Sequence, residues 1–125
     1  MHPSLRSDPR VELHEKTDIR HFITNQKFDL VLIDVSFISL REVLPMVAKL
    51  ADKNTQITAM VKPQFEAGAA DTNKGVIKND TMRRQILKDF ELWAKKMFVI
   101  GAKADSEVAG SKGNLERFYL LRIKN

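Results

Sequence analysis

Two residues in this chain stand where a ligand could be met by charge from two sides: Asp34 and Lys62. Asp34 follows Leu30, Val31, Leu32 and Ile33, an apolar run with branched side chains that reads as a strand buried on both faces, spanning 28 to 33. Lys62 follows Gln56 to Val61, a second strand pattern, and Pro63 next to it removes a backbone donor and turns the chain out of the sheet. In open α/β sheets the ligand crevice lies beyond the carboxyl ends of the strands, where both residues fall. An anion and a cation there can face one ligand. A turn carboxylate that caps a loop and an exposed strand-end lysine are the alternatives.

The elements that must carry these residues follow from periodicity and punctuation. Ser39 and Glu42 have capping-box spacing, so a helix is expected from about 39 to 51, with Leu40, Val43, Leu44, Val47 and Leu50 as its apolar stripe. Pro45 deletes one backbone bond there and should kink it. Residues 1 to 10, broken by Pro3 and Pro9, read as a frayed end or the tail of a helix. Val11 to Glu15 alternates as a short strand would, and Thr17 and Asp18 can cap a helical turn. The connection from 62 to 79 is long, and loops of that length are uncommon unless functional or disordered. The longest helix is expected from Asp80 to about Lys96, with Met82, Ile86, Phe90, Trp93 and Met97 inward. Two strands close the chain, 97 to about 104 and 116 to 123, around a turn at Gly110 to Asn114. Strands alternating with helices make this an α/β domain with a largely parallel sheet, and the short final connection makes the last two strands antiparallel.

Composition narrows the chemistry. With 125 residues, 43% hydrophobic and 30% charged, the chain suits one globular domain. It has no cysteine, which excludes disulfides and thiolate chemistry, and its three histidines form no metal-ligand motif. No apolar run approaches the roughly 20 residues that span a bilayer. The first residues lack the apolar core of a signal peptide, so a cytoplasmic location is expected. A formal net charge of +5 suits a nucleic-acid partner without establishing one.

Three stretches together resemble a known family: Asp29 to Leu40, Val61-Lys62-Pro63-Gln64-Phe65-Glu66, and Gly113 to Glu116. With Lys74-Gly75-Val76, they look like the FtsJ-like methyltransferase domain of the TlyA type, often labelled hemolysin A, over about residues 10 to 123. The resemblance implies an incomplete Rossmann-like sheet and S-adenosylmethionine-dependent 2′-O-methylation of ribosomal RNA. It carries three members of the family's Lys-Asp-Lys-Glu catalytic tetrad onto Asp34, Lys62 and Glu116, and its cofactor contacts onto Asp18, Asp34, Val35 and Ser36. Methyl transfer requires the ribose hydroxyl to lose its proton, which a neutral lysine can take. Lysine is protonated at neutral pH unless burial or a nearby cation intervenes. The family's first tetrad lysine would be such a cation and has no counterpart here, so Lys62 is expected to pair as an ammonium with Asp34 or Glu116.

The glycine-rich cofactor cradle and the S4 RNA-binding domain of TlyA proteins also lack counterparts. This chain is therefore expected to bind S-adenosylmethionine weakly or not at all, and to be inactive alone. Lys74, Lys78, Arg83, Arg84 and Lys112 are expected to meet the RNA backbone, a solvated charged face being the alternative. A non-catalytic RNA-binding or assembly fragment is the second reading, and a membrane-active hemolysin the weakest. Without the family's two central strands, the edge at Leu30 to Ile33 is expected to be covered, by residues 11 to 15, by a second copy of the chain, or by the family's N-terminal segment as a separate chain, with repacking or self-association favoured.

Overall fold

The computed structural model describes residues 1–67, 79–107 and 114–124. Four strands make one sheet: β1 (Leu30–Ile33), β2 (Gln56–Val61), β3 (Phe98–Asp105) and β4 (Arg117–Ile123). Their spatial order is β1-β2-β4-β3. β1 and β2 are parallel, with Leu30 opposite Gln56 and Ile33 opposite Ala59. β4 lies antiparallel to both β2 and β3. The α/β class and the antiparallel final pair hold. The largely parallel sheet does not, because β4 inserts beside β2 and leaves one parallel pair among three.

Among the described residues, α1 (Pro3–Arg6) and a 3-10 turn (Ile19–His21) precede β1, and α2 (Leu40–Ala48), α3 (Pro63–Glu66) and α4 (Asp80–Ala94) lie between strands. Ser39 caps α2 as its type suggests, accepting from the Arg41 N–H at 3.0 Å, but the capping box expected from its spacing does not close, because the Glu42 carboxylate pairs with Arg20. The helix runs through Pro45. Its stripe of Leu40, Val43, Leu44 and Val47 packs with Leu87, Phe90 and Ala94 of α4 against Ile57, Ala59, Val61, Tyr119 and Leu121 of the sheet. Truncating a core leucine such as Leu44 would cost about 2–5 kcal/mol.

Residues 11 to 15 form no strand. His14 instead bonds Glu12 and meets the Phe22 ring edge-on, while Glu15 pairs with Arg6. Alternation over five residues was too weak a signal without a neighbouring strand to pair with. β1 is consequently an edge strand, and the run expected to be buried on both faces is covered on one only: Leu30 and Leu32 are exposed at 54% and 72% while Ile33 on the other face is buried. The repacking route to covering that edge is thereby ruled out for residues 11 to 15.

Candidate functional site

The site forms where β1 and β2 end and β4 begins. Asp34 is the first residue past β1, Lys62 the first past β2, and Glu116 the last before β4. Val61 and Arg117 are the final pair of the β2–β4 ladder, which puts Lys62 and Glu116 one position beyond it on neighbouring strands. Parallel pairing of β1 with β2 sends both of their carboxyl ends to this edge.

Lys62 Nζ lies 2.6 Å from Asp34 Oδ1 and donates to Ser36 Oγ at 3.3 Å. Its side chain is 13% exposed, against 69% for Asp34. The lysine is thus sheltered while one face of the carboxylate stays open. Of the two partners expected for Lys62, the structure selects Asp34. Glu116 is buried, and its Oε2 accepts from Gln64 Nε2 at 3.2 Å. Gln64 Oε1 is buried and meets no donor among the described residues.

The turns after β1 and β2 are laced together beyond these contacts. Phe37 and Phe65 pack with ring centroids 5.1 Å apart. Phe37 is 89% exposed and adopts φ 63°, a left-handed conformation that costs a bulky residue about 1–3 kcal/mol. Glu66 accepts from Ser39 Oγ at 2.5 Å and from the Leu40 N–H at 2.7 Å. Burial raises the Glu66 pKa, against the opposing pull of those two hydrogen bonds and Arg41.

The remaining expected residues are scattered. Asp18 caps the 3-10 turn Ile19–His21, and its carboxylate is taken up by Arg20, which holds its pKa down to about 2. Val35 is half-buried and Ser36 exposed beside Lys62. Arg83 is not available to RNA: it is buried, bonding Asp105 at 2.9 Å and the Leu115 carbonyl at 3.4 Å. Arg84 is exposed and paired with Asp80 at 3.0 Å. Lys74, Lys78, Lys112 and most of the Gly110 to Asn114 turn lie outside the described residues.

Gln64, Glu66 and Phe37 are the residues that sequence reasoning missed. Gln64 and Glu66 sit in the Lys62 to Glu66 motif, but their partners are 52 and 26 to 27 residues away, beyond any local spacing rule. Among the described residues, no helix is long and apolar enough to cross a membrane. The apolar stripe of α2 is spent on the core.

The four-stranded mixed α/β sheet is that of an FtsJ-like, Rossmann-type methyltransferase fold. The match to known proteins is specific: the FtsJ-like methyltransferase profile covers residues 1–124, and the chain belongs to that family. It is 40% identical over its full length to the 23S rRNA (cytidine-2′-O)-methyltransferase TlyA of Campylobacter jejuni, and 37% identical over 97% of its length to the 16S/23S rRNA (cytidine-2′-O)-methyltransferase TlyA of Mycobacterium tuberculosis. It covers 49% and 47% of those proteins, about half their length. A solved Streptococcus thermophilus protein, described as a candidate hemolysin, superposes with a TM-score of 0.91 at 31% identity, over 98% of this chain and 46% of that one.

Proposed function

We propose that this chain is the catalytic-edge portion of an S-adenosylmethionine-dependent ribosomal RNA 2′-O-methyltransferase, with Asp34, Lys62 and Glu116 at its reacting centre. The observation that carries the reading is the 2.6 Å contact between Lys62 and Asp34 across two parallel strand ends. It occurs in a chain whose relatives are named for this reaction.

The residues present fit part of the cofactor. Asp34 offers an open carboxylate to a cationic sulfonium, with Val35 and Ser36 beside it, whereas Asp18 is already engaged by Arg20. The cofactor would supply an electrophilic methyl group there. In a protein that supplies the neighbouring cation a neutral lysine needs, Lys62 Nζ would accept the proton that the ribose 2′ hydroxyl releases as the methyl group transfers to its oxygen. Asp34 fixes the lysine chain, and Glu116, held by Gln64, adds negative charge at the same edge. The exposed Phe37 ring, held in a strained backbone, offers a stacking surface for a base drawn out of its helix.

The chain spans about half the length of those relatives, and the proposal includes weak or absent S-adenosylmethionine binding by this segment alone. A ribosomal RNA substrate sets the working location as the cytoplasm. The test is incubation of the protein that carries this segment with ribosomal subunits and methyl-labelled S-adenosylmethionine, followed by alkaline digestion. Label in an alkali-resistant dinucleotide is expected, cytidine being the first base to examine. Label on a base instead would contradict the reading.

A further inference from the structure

We infer that Glu66 is a positioning residue: it holds the turn that carries Lys62 in register with the turn that carries Asp34. The inference rests on the reading of Lys62 and Asp34 as the reacting pair. Lys62 is the N-cap of α3, and its side chain makes no capping bond. A helix of one turn has little stability of its own, so α3 must be pinned by something else. Pro63 restricts the backbone at its start. Glu66 pins its end, with Oε2 accepting from Ser39 Oγ and Oε1 from the Leu40 N–H. Those donors belong to the N-terminal end of the nine-residue α2, where backbone N–H groups lack helical partners and the dipole favours an anion.

The carboxylate nearest in sequence is drawn elsewhere. Glu42 has the capping-box spacing from Ser39, yet it pairs with Arg20 at 3.3 Å. The fold instead commits a largely buried carboxylate from the far turn, although burial raises its pKa. Capping α2 does not require this; joining the two turns does. The cross-contacts run in step: Asp34 and Ser36 with Lys62, Phe37 with Phe65, Ser39 and Leu40 with Glu66. Lys62 and Glu66 are the polar ties at the two ends of the lacing. A proton acceptor displaced by about 1 Å loses on the order of 100-fold in rate, so the far tie bears directly on the chemistry.

The test is a proton–nitrogen spectrum of the lysine ammonium groups of this chain, in which Lys62 held against Asp34 gives a slowly exchanging signal that Lys62→Met removes. Glu66→Leu is expected to weaken that signal at least threefold while the backbone amides of β2 and β4 stay in place. Glu66→Gln keeps an acceptor for the Leu40 N–H and is expected to restore at least half of it. A Lys62 signal of full strength in Glu66→Leu overturns the inference. Should Glu66→Leu not fold, Ser39→Ala must weaken the signal, and an unaltered one overturns the inference equally. The signal does not depend on turnover. A strong Lys62 signal that falls in Glu66→Leu, in a protein that transfers no methyl group to RNA, would sustain the positioning role and defeat the functional reading alone.

Discussion

At the scale of the residue, charge type was legible and charge environment was not. Asp34, Lys62 and Glu116 could be singled out because strand ends and a family resemblance mark them, and all three come to one edge of the sheet. Arg83 shows the opposite case. On paper it is one of a row of basic residues, but its guanidinium is bound by Asp105 and a backbone carbonyl. This alters the expected RNA contacts. If Lys74, Lys78, Arg84 and Lys112 meet phosphates, replacing all four by Ala should reduce the slope of log affinity against log salt by about 0.7 for each phosphate no longer neutralised. Filter binding to a ribosomal RNA fragment at several salt concentrations measures this; an unchanged slope would assign the four charges to a solvated face. Arg83→Ala should leave the slope alone and lower the melting temperature.

At the scale of the element, helices and buried strands were readable because each has a periodic apolar face and punctuated ends. Asn79 caps α4 by accepting from Thr81 and Met82, and Pro63 ends β2. The failed strand at Val11 to Glu15 had alternation but no partner. The order β1-β2-β4-β3 was not written in any local pattern, since strand neighbours are chosen by tertiary packing. The antiparallel β3–β4 pair is tied at its site end by Asp105, which bonds Arg117 at 2.8 Å and Arg83 at 2.9 Å. The Arg117 guanidinium is the main cause, with Arg83 adding to it, of a lowered Asp105 pKa. A lowered carboxylate pKa contributes stability that is present above the unfolded value of about 3.9 and is lost as pH falls through the folded value. Asp105→Asn should therefore lower the melting temperature at pH 7 by on the order of 4 °C, the shift that ~1 kcal/mol produces in a small domain. The gap to wild type should close below about pH 3.9. Melting curves from pH 7 to pH 3 test it, and a gap that stays constant would detach Asp105 from the effect.

At the scale of the whole molecule, the sheet carries its helices and core on one side. Leu30, Leu32 and Phe118 are exposed, and among the described residues β1 ends the sheet with no strand on its outer side. An apolar edge strand invites pairing with another chain. This chain is expected to associate as its concentration rises, and Leu32→Lys to return it to a monomer; light scattering over a concentration series would show this, and a wild-type monomer throughout would show that the open edge is tolerated. Titration calorimetry should give no S-adenosylmethionine binding by this chain near the low-micromolar range, about −8 kcal/mol. A tighter constant would mean that the other half of the family's length is not needed for the cofactor. The central claim concerns Lys62, and it is tested most directly by methyl transfer to ribosomal RNA with Lys62→Ala in the protein that carries this segment. The account predicts that label at the ribose 2′ oxygen disappears while cofactor binding persists. Turnover at a near wild-type rate in Lys62→Ala would contradict it.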